Sequence, residues 1–196
     1  DHARAYDGIV RPNPSLPLQY DTSLMSVMSY SDMVDLGSQK YVSALMPLDI
    51  AALMDMYGAR SSTENNVFRV VDGYSIPTHS GNVWTISGNV PFTVADTGGS
   101  DVIDASGYTA TGGAFFTFDD GLWLSETNPY NQLSYYIDAG NRPWIDLTGE
   151  TDGVPMIGIF QSTVIEKFIG TNGDDHVYGN SRNQTADGRA GADVFY

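Results

Sequence analysis

Beyond residue 60 the hydrophobic pattern of this chain changes from helical to alternating, and this change constrains the fold most. Short runs of β-branched and aromatic residues recur there, separated by Gly, Asn, Asp and Pro, as in strands joined by turns. The runs cover residues 67–71, 83–86, 92–94, 114–118 and 133–137. This spacing favours a sandwich or a roll of antiparallel and parallel strands.

Before residue 60, the stretch 47–57 combines helical spacing of apolar residues with good helix formers. Pro47 suits the first turn of a helix, and Gly58 suits the left-handed position that ends one. The sequence therefore predicts an α+β chain that is mostly β. No long linker is visible, so we expect a tightly packed domain boundary near Arg60.

Acidic residues outnumber basic ones by 24 to 9, which gives a formal net charge of −15. This balance argues against a nucleic-acid partner, because binding to phosphates begins with a basic patch. The acidity suits calcium sites and a secreted surface, although simple solubility would also explain it. Cysteine is absent, which excludes disulfides and thiolate zinc sites. No apolar run approaches the roughly 18 residues that span a bilayer.

Residues 96–101, Asp-Thr-Gly-Gly-Ser-Asp, have the composition of a calcium-binding turn. Calcium takes six to eight oxygen ligands, and glycines let backbone carbonyls fold inward while aspartates supply charge. The side chains of Asp96 and Asp101 and the carbonyls of Gly98 and Gly99 are the candidate ligands. An ordinary β-turn would explain the same composition.

Residues 170–178 fit the nonapeptide G-G-x-G-x-D-x-U-x, which builds a calcium-filled parallel β-roll. Thr171 replaces the second glycine. A degraded second copy follows at 188–196, with Arg189 where glycine is expected. Two copies are few for a solenoid, so the roll should lean on the preceding strands or continue past Tyr196. The candidate ligands are Gly170, Gly173, Asp175, Gly188, Gly191 and Asp193.

The order of these motifs resembles the serralysins, secreted bacterial zinc endopeptidases of the metzincin group. Ser26-Val27-Met28-Ser29-Tyr30 resembles the family's methionine turn, and Tyr57-Gly58-Ala59 resembles the end of its closing helix. Residues 96–109 resemble its D-x-G-G-x-D-x-x-D-x-S-G-Y motif. By this resemblance, residues 1–59 end a metzincin catalytic domain, and residues 60–196 form a β-rich calcium-binding domain with degenerate β-roll repeats.

The resemblance also implies roles for single residues. Met28 would form an apolar floor beneath the zinc, and Tyr30 would be a catalytic residue that reaches the metal or the developing oxyanion. Glu166 resembles a further calcium ligand of the family. Glu64 stands where the family has arginine, which puts its associated site in doubt.

His2 stands where the third zinc ligand of H-E-x-x-H-x-x-G-x-x-H would lie, although an N-terminal histidine is also a common solvated residue. The first two histidines and the glutamate of that motif are missing. Only three histidines exist, and none is spaced i, i+4 from another. This chain cannot by itself complete such a zinc site, and we expect an N-terminal polypeptide to carry the rest. The chain looks like the later part of something longer.

The function that follows from the resemblance is part of a secreted, extracellular zinc endopeptidase that cleaves peptide bonds in proteins and is stabilised by calcium. One alternative is a secreted calcium-binding module that has no catalytic activity. A weaker alternative uses the aromatic middle of the chain, with Trp123 and Trp144, as a carbohydrate-binding face. Packing in the core explains those aromatic residues more simply.

Overall fold

The computed structural model describes residues 26–28, 44–59, 61–73, 75–88, 92–109, 113–118, 144–145, 157–160 and 163–196 of the chain. Within these residues it contains one α-helix and twelve short strands. The chain is therefore α+β and mostly β, as the sequence predicts. The predicted strand at 133–137 lies outside the described residues, and so do His2, Tyr30 and Trp123.

Helix α1 precedes all twelve strands, and every strand is six residues or shorter. The bounds are α1 Pro47–Tyr57, β1 Val67–Val71, β2 Thr78–Ser80, β3 Val83–Ser87, β4 Phe92–Val94, β5 Val102–Gly107, β6 Phe115–Thr117, β7 Trp144–Ile145, β8 Ile157–Ile159, β9 Lys167–Ile169, β10 His176–Tyr178, β11 Thr185–Asp187 and β12 Val194–Phe195.

Helix α1 has the bounds that its sequence predicts, with Pro47 at its first position. Asp49 accepts a hydrogen bond from the backbone N–H of Met46 at 2.9 Å, which satisfies a free donor at the helix start. Gly58 ends the helix at φ +81° and ψ 156°, a positive-φ conformation that favours glycine but is not the left-handed helical one that the sequence predicts. Among the described residues, no helix is long and apolar enough to cross a membrane.

The strands form one six-stranded and two three-stranded sheets. The large sheet has the order β11-β9-β5-β1-β3-β2, and the small sheets have the orders β12-β10-β6 and β4-β8-β7. Pairing is antiparallel only for β2 with β3 and for β7 with β8 among the described strands. The remaining pairs are parallel.

The last strands alternate between two sheets, so that the chain winds in coils. Strands β5, β9 and β11 lie together in the large sheet, and the strands that follow them, β6, β10 and β12, lie together in a small one. The coil β9 to β10 pairs in parallel with the earlier coil β5 to β6, and the coil β11 to β12 pairs in parallel with β9 to β10. The repeats lean on the preceding strands, which is one of the two outcomes that the sequence predicts.

Within the described residues, one hydrophobic core joins the three sheets. The rings of Phe116 and Phe168 stack with centroids 4.2 Å apart, which connects the β12-β10-β6 sheet to the large one. Ile157 and Ile159 of β8 belong to the same core and are buried. Met46, just before α1, is also fully buried, and its sulfur lies 4.0 Å from the hydroxyl of Thr93 on β4.

Candidate metal centre

Asp101 is the most unusual polar residue in the described part of the chain. It directly precedes β5 and has no solvent exposure. Its Oδ1 accepts a hydrogen bond of 2.7 Å from the backbone N–H of Asn66, but its Oδ2 is buried and has no hydrogen-bond partner within the described structure. An unpaired carboxylate oxygen in the interior is costly unless a cation or a proton compensates it.

Two further carboxylates lie near Asp101. Burial, the largest effect, and the nearby charges of Asp96 and Glu166 together raise the pKa of Asp101 to about 6, although the hydrogen bond from the Asn66 N–H acts in the opposite direction. Glu166 accepts the backbone N–H of Asp101 at 2.7 Å, and Asp101 accepts the N–H of Glu166 on its carbonyl at 3.1 Å. The residues just before β5 and β9 therefore hold negative charge in one place.

Asp96 is also buried and lies on the other side of Asn66. Its Oδ2 accepts a hydrogen bond of 2.6 Å from the side-chain amide of Asn66, and its Oδ1 accepts the N–H of Gly98 at 3.1 Å. The hydroxyl of Thr163 accepts the Asp96 N–H at 3.1 Å. Asn66 thus connects Asp96 to Asp101, although its sequence context gave no sign of a role.

Gly98 and Gly99 pack against the backbone of residues 62–65. A Cβ on Gly99 would overlap the carbonyl oxygen of Glu64, and one on Gly98 would lie 3.1 Å from the carbonyl oxygen of Ser62. Both glycines have positive φ, 152° and 130° respectively. Only glycine fits this close approach, which brings backbone oxygens to the loop that carries Asp96 and Asp101.

These residues fit a hard divalent cation. The donors are carboxylate and carbonyl oxygens, which calcium prefers, and Asp101 has one oxygen free to bind. No group of three or more His, Asp or Glu side chains in metal-binding geometry occurs among the described residues, so backbone oxygens would have to supply part of the coordination. The sequence predicts Asp96, Gly98, Gly99 and Asp101 as ligands in one turn and Glu166 as a further calcium ligand; the structure places the Glu166 carboxylate against the Asp101 N–H, and their binding of calcium stays a prediction.

The two nonapeptide loops lie side by side in neighbouring coils. His176 pairs with Val194, so the preceding residues Asp175 and Asp193 occupy equivalent places. The N–H of Asp175 donates to Asp193 at 3.0 Å, and the N–H of Ala114 in the earlier coil donates to Asp175 at 2.6 Å. Each aspartate thus accepts a hydrogen bond from the backbone of the preceding coil.

Thr171 occupies the place of the second glycine of the repeat and is fully buried. Its hydroxyl and its N–H both donate to the carboxylate of Asp175 at 2.9 Å. Burial raises the pKa of Asp175, while the hydrogen bonds from Ala114 and Thr171 act in the opposite direction. Unlike Asp101, Asp175 accepts hydrogen bonds on both carboxylate oxygens, and Thr171 supplies two of these bonds.

The glycines of the repeat are required by close packing within each loop and between neighbouring loops. A Cβ on Gly170 would overlap Asp175, and a Cβ on Gly188 would overlap Asp193, so each first glycine lies against its own repeat's aspartate. A Cβ on Gly191 would overlap the carbonyl oxygen of Gly173 in the neighbouring loop. The structure therefore brings all six predicted residues of these loops together.

Arg189 departs from the repeat and has φ +67°, a conformation that favours glycine. Its guanidinium donates to the carbonyl of Ser106 at 3.0 Å, and its N–H donates to Asp187 at 3.0 Å. These contacts hold the unfavourable backbone in place.

Met28 lies in a turn that is fastened to helix α1 through Asp49. The Ser26 hydroxyl donates to Asp49 Oδ1 at 2.6 Å, and the Val27 N–H donates to Oδ2 at 2.9 Å. The Met28 side chain is 56% exposed. Its predicted zinc partners His2 and Tyr30 lie outside the described residues, so its role as a floor for zinc stays a prediction.

These features define a mostly β chain whose glycine and aspartate loops have the donors of a calcium-binding protein. A comparison with protein-family models gives no match. Among curated proteins, the chain is 29% identical over 170 residues to Metalloprotease AprA of Pseudomonas entomophila, which covers 82% of the chain and 29% of that protein. It is 28% identical over 172 residues to Serralysin of Proteus mirabilis, which covers 84% of the chain and 29% of that protein.

The chain is therefore distantly similar to metalloproteases of the serralysin type. It spans less than a third of the length of these two relatives.

Proposed function

We propose that this chain is the C-terminal part of a secreted, serralysin-like zinc metalloendopeptidase, and that its own β-rich region is a calcium-stabilised β-roll. The observation that carries the calcium part is the buried, unpartnered Oδ2 of Asp101 within a loop of carbonyl oxygens. The distant similarity to two metalloproteases supports the protease part.

In the calcium part of the proposal, the two sets of loops stabilise different parts of the fold. The loop of Asp96 and Asp101 connects the strands of the large sheet, since Asp101 is bonded to Asn66 before β1 and to Glu166 before β9. A cation there offsets the charge of three carboxylates and fixes three loops at once. The loops of Asp175 and Asp193 do the same for the last coils.

In the protease part, zinc would act as a Lewis acid and activate a water when bound. His2 would be its third protein ligand, and Tyr30 would face the substrate carbonyl. An N-terminal polypeptide with H-E-x-x-H-x-x-G would complete the site for a protein or peptide substrate. Asp49 serves as a positioning residue, because it fastens the Met28 turn to helix α1.

The experiment joins this chain to an upstream segment with the H-E-x-x-H-x-x-G motif and measures zinc content and hydrolysis of a protein substrate. We expect one zinc per assembled protein, with activity that is reduced in Tyr30→Phe and abolished in His2→Ala. Calcium without zinc, and no hydrolysis, would contradict the protease assignment.

The second candidate is a secreted calcium-binding module without catalytic activity. The observation in its favour is that calcium bound in these loops would by itself account for the buried carboxylates of Asp96, Asp101 and Asp175. It predicts calcium binding by the chain and no zinc binding when the upstream segment is added, so the same experiment distinguishes the two functions.

A further inference from the structure

A pocket of about 270 Å³ opens beside helix α1, between the loop at residues 62–66 and strands β2, β3 and β4. Part of its lining, the aromatic wall, consists of ring side chains, and the rest includes oxygen-bearing side chains. The aromatic wall contains Phe68, His79, Trp84 and Phe92. None of these four residues is a candidate ligand of zinc or calcium.

The aromatic wall follows from the register of the large sheet. Phe68 of β1 pairs with Trp84 of β3, and Trp84 pairs with His79 of β2, so the three lie in one row. Phe68 is buried in the core, Trp84 is half-buried, and His79 is exposed. This row of side chains therefore extends from the buried core at Phe68 to the surface at His79, where it lines the open pocket.

The indole of Trp84 already has planar groups near it. The imidazole of His79 stacks on it with centroids 4.2 Å apart and an angle of 21°, and the ring of Phe92 lies 6.5 Å away. An indole is the aromatic ring that attracts cations best, and a guanidinium is the cation that stacks on aromatic faces.

The rest of the lining carries negative charge. Glu64 and Asp96 belong to it, together with the polar side chains of Ser62 and Thr97. Asp96 is hydrogen-bonded within the calcium-type loop, whereas the Glu64 side chain is exposed and does not belong to that predicted cluster. Among the described residues that line the pocket, none is Lys or Arg.

We propose that this pocket binds the side chain of an arginine in a partner polypeptide. The apolar stem lies along Met54 and the aromatic wall, the guanidinium stacks with the Trp84 and His79 rings, and Glu64 pairs with its charge. The volume fits one long side chain rather than a larger ligand. The inference does not depend on zinc or on proteolysis.

The test is a titration of the calcium-saturated chain with a short capped peptide that contains one arginine, and with the same peptide containing citrulline. Citrulline keeps the shape of arginine and removes its charge. Binding is followed by calorimetry and by the NMR signal of the Trp84 indole N–H. We expect the arginine peptide to bind about tenfold more tightly and to shift that signal, which corresponds to about 1.4 kcal/mol.

Two variants locate the binding. Trp84→Leu should weaken binding of the arginine peptide about fivefold, the change that corresponds to a cation–π contribution of about 1 kcal/mol. Glu64→Gln should weaken it about threefold. Asp187→Asn is the matched control, because it removes one exposed carboxylate from β11, at the far edge of the same sheet. It should leave binding unchanged.

Equal affinity for the two peptides would overturn the proposal, and so would binding that leaves the Trp84 signal unchanged. No binding of the arginine peptide would overturn it as well. If Trp84→Leu fails to fold, the comparison of the two peptides on the unmodified chain and the Glu64→Gln variant still decide the question.

Discussion

Replacing Asp101 with Asn should have opposite effects with and without calcium. In the metal-free protein, the buried carboxylate of Asp101 lies near Asp96 and Glu166, and its pKa is about 6 in place of 3.8. These two pKa values differ by about 2, which corresponds to about 3 kcal/mol. We expect the charged carboxylate to lower the free energy of unfolding by about 2 kcal/mol, because the loop is near the surface and water weakens the electrostatic effect.

The sign follows from proton binding. Between pH of about 4 and 6 the folded state binds more protons than the unfolded state, so the free energy of unfolding of the metal-free protein falls as the pH rises through this range. Asp101→Asn keeps an acceptor for the Asn66 N–H and removes the charge. It should therefore stabilise the metal-free protein by about 2 kcal/mol at neutral pH and flatten this part of the pH dependence.

With calcium the carboxylate becomes a ligand, so the substitution should remove most of the stabilisation that calcium provides. The assay is urea unfolding at several pH values, with a chelator and with saturating calcium. Asp55→Asn, which removes an exposed carboxylate from helix α1, is the control, and it should change neither curve. If Asp101→Asn is as sensitive to calcium as the unmodified protein and no more stable in chelator, the reasoning about Asp101 is refuted.

Three further substitutions test the packing of the loops by the same unfolding assay. Gly99→Ala should lower the free energy of unfolding by about 3 kcal/mol or more, because its Cβ would overlap backbone. Gly73 also has positive φ but has open space around it, so Gly73→Ala should lower the free energy of unfolding by only about 1 kcal/mol. Equal losses for the two variants would contradict a steric role of Gly99. Arg189→Gly should raise the free energy of unfolding by about 0.5 kcal/mol, because glycine adopts the positive φ at this position without strain. A clear decrease in the free energy of unfolding would instead show that the hydrogen bond from the Arg189 guanidinium to the Ser106 carbonyl matters more. Asp49→Ala should lower the free energy of unfolding by about 2 kcal/mol and make the methionine turn more susceptible to proteases, because the hydrogen bonds from Ser26 and Val27 are lost. The control Asp55→Ala, on the exposed side of the same helix, should have neither effect. Similar digestion of both variants would contradict the anchoring role of Asp49.

The helix and several strands could be predicted because their signals are local. Pro47 and Gly58 mark the two ends of the helix, and alternating β-branched residues mark β1 and β4 with the bounds that the structure has. The pairing of the strands could not be predicted in the same way. Parallel pairing depends on contacts between distant residues, such as β5 with β9, which lie more than 60 positions apart.

The glycine and aspartate residues of the candidate sites were predictable from their spacing, because close approach of backbones demands glycine at fixed positions. Their polar partners were not. Asn66 lies 30 residues before Asp96, and no motif marks it. Thr171 was visible only as a departure from the repeat, and its hydrogen bonds to Asp175 give that departure a physical reason. Glu166 came from the resemblance, since nothing in its local sequence indicates its bond to Asp101.

Binding of calcium to the purified chain tests the central claim most directly. Equilibrium dialysis with metal analysis, beside thermal unfolding, should detect at least one bound calcium and a higher melting temperature, and magnesium should not replace calcium because it prefers a smaller octahedral site. Asp101→Asn should bind fewer calcium ions than the unmodified chain. A chain that binds no calcium, or one whose melting temperature does not respond to it, would contradict the account.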